Sequence, residues 1–321
     1  MTEPWHSGPI HPPPHCAAWS HVGLRFNDIG LTAAFARRTP PRHAALASDP
    51  PYVALRVFRD GGLANEEELA RLFGPELLSL CAPVVGRFRL DVARGIYLFS
   101  DWPERPGPDT VLPPGETTAL LLDAALARLP PDARVWDLGC GSGTLSLLLE
   151  GGVTGSDVNP RAVALAEWNS AVNGLTHARF RLGSLDEPVR GDRFDLIVSQ
   201  PPFLAGGSSL FLHGGARGDE LARAILELAP RYLTRNGLAL IFADWLLAPG
   251  ERIEDRLPRV DGAMRVWTTS IDGAAWAASY GVADMPARVA QCLIEIRGGC
   301  GESVSREFID VGGNWGAAVG K

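Results

Sequence analysis

Strand-like and helix-like segments alternate along this chain from residue 117 nearly to its C-terminus. Short apolar runs predict strands at Arg134–Leu138, Val153–Asp157, Arg179–Leu182, Leu196–Ser199, Leu238–Ala243, Met264–Ser270 and Ala290–Ile296. Helices are predicted at Thr117–Leu129, Thr144–Glu150, Pro160–Asn173 and Asp219–Leu233. This rhythm predicts an α/β domain over residues 113–321, with a mostly parallel sheet and helices on both faces.

Residues 23–112 show a different pattern, in which short helices precede a β-hairpin. Helices are predicted at Asn27–Arg37, Pro51–Arg59, Asn65–Leu72 and Pro75–Val84, and strands at Phe88–Asp91 and Gly95–Phe99. This order predicts a smaller, mainly helical, winged-helix-like domain. A segment rich in Pro, Asp and Gly at 101–114 is predicted to be the linker at its C-terminal end. The mixed charge of the domain favours substrate positioning or formation of a homodimer over DNA binding.

The first 22 residues are rich in proline, which excludes a helix there and predicts a flexible leader. Four histidines and Cys16 fall in the same stretch. A metal site is not favoured, because extended prolines do not gather ligands and no second cluster completes a coordination shell. The sequence therefore predicts no metal.

Net charge and cysteine usage limit the class of protein further. The five cysteines are scattered without a Cys-x-x-Cys pair, and the net charge is −7. Neither a disulfide framework nor a structural zinc site is indicated, and no overall basic field attracts a polyanion. No apolar run reaches the length of a membrane span and no secretory leader is recognisable, so we expect a cytoplasmic protein without membrane contact.

A glycine-rich turn lies between the first predicted strand of the α/β domain and the following helix. It reads Asp137-Leu138-Gly139-Cys140-Gly141-Ser142-Gly143. A dinucleotide-binding turn, Gly-x-Gly-x-x-Gly, requires glycine at position 144, where this chain has threonine. The acidic residue that precedes the turn suits a cationic ligand without phosphate, and S-adenosylmethionine is such a ligand.

A second turn, Gly155-Ser156-Asp157-Val158-Asn159-Pro160, follows the next strand. A carboxylate at position 157 can accept hydrogen bonds from both hydroxyls of a ribose, and Val158 can pack on an adenine. The alternative, that Asp157 only caps the next helix, is disfavoured because Asn159 is better placed as the cap.

These two motifs, with Gln200-Pro201-Pro202-Phe203 after a third strand, resemble those of class I S-adenosylmethionine-dependent methyltransferases. The third motif is similar to the Asn-Pro-Pro-Tyr/Phe signature of a small-domain group that includes release-factor glutamine and ribosomal-RNA guanine N-methyltransferases. The resemblance covers residues 113–296. It implies a Rossmann-like, seven-stranded, mostly parallel sheet and S-adenosylmethionine as the cofactor.

The resemblance also implies a set of site residues. The cofactor-binding residues it implies are Thr117, Asp137, Gly139, Cys140, Gly141, Gly143, Asp157, Val158, Asn159, Ser184, Leu185 and Gln200. For the acceptor it implies that Gln200 and the carbonyl of Pro201 accept hydrogen bonds from a planar nitrogen, while Phe203 stacks on that group.

Gln200 departs from the family's asparagine, and its extra methylene leaves the accepted group open. His213, in a glycine-rich segment after this motif, is a candidate general base or a hydrogen-bonding residue within the loop. Trp245 is a candidate for the acceptor pocket or for the core.

We therefore expect an N-methyltransferase that acts on an amide, amine or nucleobase nitrogen of a protein, nucleic acid or small molecule. A small-molecule O-, N- or C-methyltransferase of specialised metabolism is the main alternative. A non-catalytic cofactor-binding or DNA-binding regulator is a third hypothesis, disfavoured because the glycine turn, both acids and the Gln200 motif are all intact.

Overall fold

The computed structural model describes residues 18–36, 49–81, 83, 85–205, 213–280, 288–298 and 305–320. The chain divides into two compact units. The first comprises residues 1–113 with 141–144 and 160–176, and the second comprises 114–140, 145–159 and 177–321. The division near residue 113 lies beside the predicted domain boundary, but two short later segments belong to the first unit.

Within the described residues, the first unit contains helices followed by a hairpin. They are α1 (Trp19–Asp28), α2 (Leu31–Ala36), α3 (Pro50–Ala54, continued by a π-helical turn, Leu55–Arg59), α4 (Glu66–Phe73), α5 (Pro75–Cys81), β1 (Arg89–Ala93) and β2 (Ile96–Ser100). Helix α4 begins with a capping box, in which Asn65 Oδ1 accepts from the Glu68 amide and Glu68 Oε2 accepts from the Asn65 amide.

Two expectations for this unit are corrected. The predicted leader ends before residue 19, because Trp19 and Val22 are buried in α1. Residues 1–17, which include His6, His11 and His15, lie outside the described residues, whereas His21 lies in α1. The predicted helix Asn27–Arg37 is interrupted at Gly30, whose φ of 70° is incompatible with a continuous right-handed helix.

Helix α8 (Pro160–Val172), which comes much later in the sequence, supplies part of the first unit's core. The Trp168 ring stacks on Phe99 of β2 at 4.2 Å between centroids. Gly23 allows α1 to lie close to this helix, since an added Cβ would collide with the Val172 carbonyl oxygen. Aromatic packing therefore joins the hairpin, α1 and α8 in one core.

The linker predicted at residues 101–114 is partly buried rather than exposed. Asp101 Oδ2 accepts from Arg161 Nε at 2.8 Å and from the Val111 amide at 2.9 Å. These bonds fix both ends of the segment within the first unit.

The second unit is built around an eight-stranded sheet in the order β12-β10-β11-β9-β6-β3-β4-β5. Its strands are β3 (Arg134–Leu138), β4 (Gly152–Asp157), β5 (Ala178–Leu182), β6 (Phe194–Ser199), β9 (Leu233–Leu247), β10 (Ala263–Asp272), β11 (Arg288–Arg297) and β12 (Ser305–Asp310). A separate short pair is formed by β7 (Leu204–Ala205) and β8 (His213–Gly215). The α-helices described in the second unit are α6 (Glu116–Leu126), α7 (Thr144–Leu148), α9 (Glu220–Leu228), α10 (Ile253–Arg256) and α11 (Gly273–Tyr280). The first residue of α7, Thr144, is grouped with the first unit.

The predicted α/β, Rossmann-like sheet is confirmed, with one strand more than expected. Strands β3, β4, β5, β6 and β9 pair in parallel, and β11 runs antiparallel to both β9 and β10. The eighth strand, β12, adds to the edge parallel to β10. It escaped prediction because its sequence, Ser-Arg-Glu-Phe-Ile-Asp, has no clear alternation of apolar and polar residues.

Apolar clusters cover both faces of this sheet. One includes Trp136, Ile197, Ile241 and Trp245, and the other includes Val135, Leu196, Leu240 and Phe242. Along β3, β9, β10 and β11, the alternation of side chains places odd and even positions in different clusters. The buried sheet holds the carboxyl ends of its parallel strands as a fixed edge. Within the described residues, no helix is both long and apolar enough to span a bilayer.

Candidate active site

The glycine turn follows β3, and the structure anchors it to the end of β4. Gly139, Gly141 and Gly143 have φ values of 80°, 54° and 83°, which glycine adopts without strain. The amides of Gly139 and Cys140 both donate to the Ser156 carbonyl, at 2.8 and 3.0 Å. The first two predicted motifs therefore meet directly, and the Cys140 amide is used within the fold.

Asp137, at the end of β3, is a buried carboxylate. Its Oδ2 accepts from the amide and the hydroxyl of Ser146, at 3.0 and 2.6 Å. Burial, together with the nearby Asp157 charge, raises the pKa of Asp137 to about 6 against the lowering effect of the two Ser146 bonds. In the part of the chain that the structure describes, no basic side chain forms an ion pair with Asp137. The two neighbouring carboxylates thus give this edge of the sheet a negative potential.

Asp157 ends the adjacent strand, β4, opposite Leu182 on β5. Its Oδ1 accepts from the Asn159 amide at 2.9 Å, while the Asn159 side chain is buried. Val158 and Leu182 expose 54% and 57% of their surface, so two large apolar side chains are exposed at neighbouring strand ends. A carboxylate beside two exposed apolar side chains suits a ligand that carries hydroxyls next to a flat apolar ring.

Ser184 and Leu185, which follow β5, have different surroundings. Ser184 is exposed, and its amide donates to Glu187 Oε2 at 3.0 Å. Leu185 has a φ of 47° and packs against the apolar cluster that contains Trp136. This packing gives the Leu185 side chain a structural role in the fold. The contact of Leu185 with adenine stays a prediction.

Gln200 follows β6, and both ends of its amide are bound to helix α6. Its Nε2 donates to Thr117 Oγ1 at 2.7 Å, and its Oε1 accepts from Thr118 Oγ1 at 3.0 Å. A glutamine amide has two N–H donors and an oxygen with two lone pairs. These contacts therefore fix the amide's orientation and leave one donor and one lone pair for a ligand.

A small cavity opens beside this amide, lined by Thr117, Gln200, Phe203, Phe242 and Asp244. The Phe203 ring is half-buried and meets the Trp276 ring edge-on, at 5.4 Å between centroids. Pro201 is buried at the start of the motif. The cavity combines an oriented amide, an aromatic ring and a carboxylate within the second unit.

Two further candidates have a different outcome. The His213 side chain lies outside the described residues, although its backbone forms β8, so its proposed roles stay predictions. Trp245 is fully buried in the apolar core, which decides between its two interpretations. Among the described residues, no group of three potential metal ligands comes together.

Comparison with known protein families supports the same assignment of motifs as the sequence and the geometry. The model of the methyltransferase small domain matches residues 115–264. This part of the chain is therefore similar to the methyltransferase small-domain family. The match spans the glycine turn, the Asp157 turn, the Gln200 motif and the residues that line the cavity, but not Trp276.

Several known proteins are similar in sequence to part of this chain. A release factor glutamine methyltransferase of Geobacter sulfurreducens is 34% identical over 150 residues, which cover 41% of this chain and 52% of the relative. The enzyme of the same name from Deinococcus radiodurans is 34% identical over 157 residues, covering 43% and 56%. The chain thus spans about half the length of the relatives it matches.

Solved structures are more distant. A 16S rRNA N2 methyltransferase of T. Thermophilus, in complex with AdoMet and guanosine, has 23% identity and a TM-score of 0.45, over 66% of this chain and 50% of that one. A SAM dependent methyltransferase from Agrobacterium tumefaciens has 17% identity and a TM-score of 0.43, over 66% and 70%.

Sequence reasoning did not single out three residues of the candidate site: Thr118, Leu182 and Asp244. The signal for Asp244 was available, because strand alternation places it on the same face as Phe242 and opposite Trp245. Leu182 could have been found from its position beside Asp157 at the strand ends. The bond from Thr118 to Gln200 joins residues 82 positions apart, and no local pattern encodes it.

Proposed function

We propose that the protein is an S-adenosylmethionine-dependent methyltransferase that acts on a planar nitrogen. The observation that carries the proposal is that the glycine turn, Asp157 and the oriented Gln200 amide lie at the carboxyl ends of three neighbouring parallel strands, β3, β4 and β6. Ligands of open α/β sheets bind at this edge.

The cofactor fits the charge and shape of these residues. Asp137 and Asp157 suit the ammonium and sulfonium of S-adenosylmethionine, and two neighbouring carboxylates disfavour a pyrophosphate. In the proposed complex, Asp157 accepts from the ribose hydroxyls, while Val158 and Leu182 contact the adenine. The cofactor supplies a methyl group on a good leaving group, so the protein's task is alignment.

The acceptor is proposed from the Gln200 motif. The remaining donor and lone pair of the Gln200 amide, beside the ring of Phe203, suit a planar group that both donates and accepts hydrogen bonds. The sequence relatives are named for glutamine methylation of release factors. A glutamine side-chain amide of a cytoplasmic protein is therefore the first acceptor to test, ahead of a nucleobase or a small molecule.

A labelling experiment tests this function. Purified protein and methyl-tritiated S-adenosylmethionine are incubated together with one candidate acceptor at a time. The acceptors are a purified release factor and the protein, nucleic-acid and small-molecule fractions of a lysate. Label should enter protein and be recovered as N-methylglutamine after mild digestion. Label in nucleic acid or small molecules would overturn the acceptor class, and absence of label from every fraction would overturn the activity.

Gln200→Ala is the matched variant for this assay. It removes the oriented amide but none of the residues assigned to the cofactor's charged and apolar parts. Incorporation of label should fall at least ~10-fold, since misplacement of about 1 Å costs up to two orders of magnitude in rate. Affinity for S-adenosylhomocysteine should be nearly unchanged.

A further inference from the structure

Asp244 is a buried carboxylate in the proposed acceptor cavity. It lies on β9, only 4% exposed, and lines the same cavity as Gln200 and Phe203. Nothing in the alignment of S-adenosylmethionine requires it, because Asp137 and Asp157 lie at the ends of other strands, β3 and β4. Its position instead suggests a role toward the acceptor.

Two neutral donors hold this carboxylate. Trp276 Nε1 donates to Oδ2 at 2.7 Å, and Gln291 Nε2 donates to Oδ1 at 3.2 Å. Within the described residues, Asp244 forms no ion pair. An ionised carboxylate has about four acceptor sites, so lone pairs remain after these two bonds.

A purely structural role explains this arrangement poorly. Burying a charge is costly unless it is well paired, and burial raises the pKa of Asp244 against the lowering effect of its two donors. Trp276 and Gln291 each donate one N–H to Asp244. A neutral amide oxygen at position 244 could accept these two hydrogen bonds without the cost of burying a charge. The carboxylate at the cavity therefore suggests a further hydrogen-bond donor, brought by a ligand.

We propose that Asp244 binds the methyl acceptor by accepting a hydrogen bond from an N–H of its planar nitrogen, and so selects primary amides. This inference rests on the proposed function and names the residue that determines acceptor chemistry. A primary amide presents two N–H groups, and the cavity offers two acceptors for them, Gln200 Oε1 and the Asp244 carboxylate. A tertiary amide has no N–H, so the lone pairs that Thr118, Trp276 and Gln291 leave open on these two acceptors stay without a donor.

Three variants separate recognition from scaffolding. Asp244→Asn keeps the size but replaces a carboxylate oxygen by a donor. Trp276→Phe and Gln291→Leu remove the two donors to Asp244 while retaining the carboxylate, and Trp276→Phe retains a ring near Phe203. If Asp244 only holds Trp276, Trp276→Phe reproduces the effect of Asp244→Asn.

The probes are N-acetyl-L-glutamine N-methylamide and its side-chain N,N-dimethylamide, with guanosine as a nucleobase probe. Binding is measured by ligand-observed NMR in the presence of S-adenosylhomocysteine, whose own affinity is measured for each variant by calorimetry. Wild type, Trp276→Phe and Gln291→Leu should each bind the primary amide at least ~10-fold tighter than the dimethylamide, because the dimethylamide leaves a buried acceptor site without a donor. Asp244→Asn should lose this preference while binding S-adenosylhomocysteine as wild type does.

Each other outcome has a distinct meaning. An unchanged amide preference in Asp244→Asn overturns the role of Asp244 and leaves the methyltransferase function intact. Equal loss of preference in Trp276→Phe and Asp244→Asn assigns Asp244 to scaffolding. Guanosine binding without amide binding overturns the amide class, and failure of wild type to bind S-adenosylhomocysteine overturns the proposed function itself.

Discussion

The Nε2 of Gln200 donates to the Thr117 hydroxyl at 2.7 Å, which joins the end of β6 to the start of α6. This bond gives a physical reason for glutamine where the resembled families have asparagine. Side chains that differ by one methylene place their amides more than ~1 Å apart on the same backbone. The longer side chain reaches Thr117 and Thr118, which an asparagine at position 200 would not reach.

Thr117→Val should therefore impair methyl transfer more than cofactor binding. It keeps the branched shape but removes the oxygen that orients Gln200, at a cost of about 1 kcal/mol for a lost hydrogen bond. We expect a kcat lower by roughly fivefold, measured with the tritium assay. The control is Asp123→Asn, which changes a residue of the same helix that does not line the cavity. A Thr117→Val rate equal to that of this control would contradict the assignment.

Asp137→Asn should stabilise the ligand-free protein at pH 7.5. A carboxyl whose folded pKa is raised from 3.8 to about 6 binds its proton more tightly in the folded state. Its ionisation therefore lowers the stability of the folded state above about pH 6, and that cost disappears as the pH falls toward 3.8. Two pKa units correspond to about 3 kcal/mol, an upper bound for the gain.

Urea unfolding of both proteins at pH 7.5 and pH 5.0 measures this effect. The advantage of Asp137→Asn should shrink at pH 5.0, where the wild-type carboxyl is mostly protonated. Its affinity for S-adenosylmethionine should fall, because the variant lacks the charge that faces the ammonium in our proposal. A variant less stable than wild type at pH 7.5 would contradict the burial argument.

Asn169 and Asn173, one turn apart on α8, replace a missing strand along the edge of β2. The Asn169 side chain accepts from the Phe99 amide at 2.7 Å and donates to the carbonyls of Phe99 and Ser142 at 2.9 Å. Asn173 makes the matching pair of bonds with the backbone of Tyr97. The two amides thus satisfy the unpaired edge of a two-stranded hairpin.

Asn169→Leu should destabilise the first unit by about 3 kcal/mol, because it leaves buried backbone groups without partners. Amide hydrogen exchange provides a local measurement: the Phe99 amide should exchange much faster, while the amides of β3 keep their protection. Asn173→Leu is the matched control, and should release the Tyr97 amide instead. Unchanged protection of Phe99 in Asn169→Leu would contradict the pairing.

Local patterns predicted much of the second unit. Strand β3 has the predicted bounds, and β4, β5 and β6 each begin one or two residues earlier than predicted, because short apolar runs between turn residues report burial directly. The glycine turn and Asp157 were recognised because each belongs to a short motif of adjacent residues. Edge strand β12 was missed because one face is not clearly apolar.

The remaining features depend on long-range contacts. No periodicity links Gln200 to Thr118, or Asp244 to Trp276, since each pair meets only after the sheet and helices assemble. The same holds for α8, whose Trp168 and Asn169 belong to the first unit although the sequence places this helix between strands of the sheet. The sequence left Trp245 open between the acceptor pocket and the core, and its orientation on β9 places it in the core.

Calorimetric titration of S-adenosylmethionine and S-adenosylhomocysteine into wild type and Asp157→Ala tests the central claim most directly. Wild type should bind both with one site per chain. Asp157→Ala should weaken both at least ~10-fold, since hydrogen bonds to a charged group contribute about 1.5–3 kcal/mol each. No binding to wild type, or equal affinity in Asp157→Ala, would contradict the assignment of this sheet edge as the cofactor site.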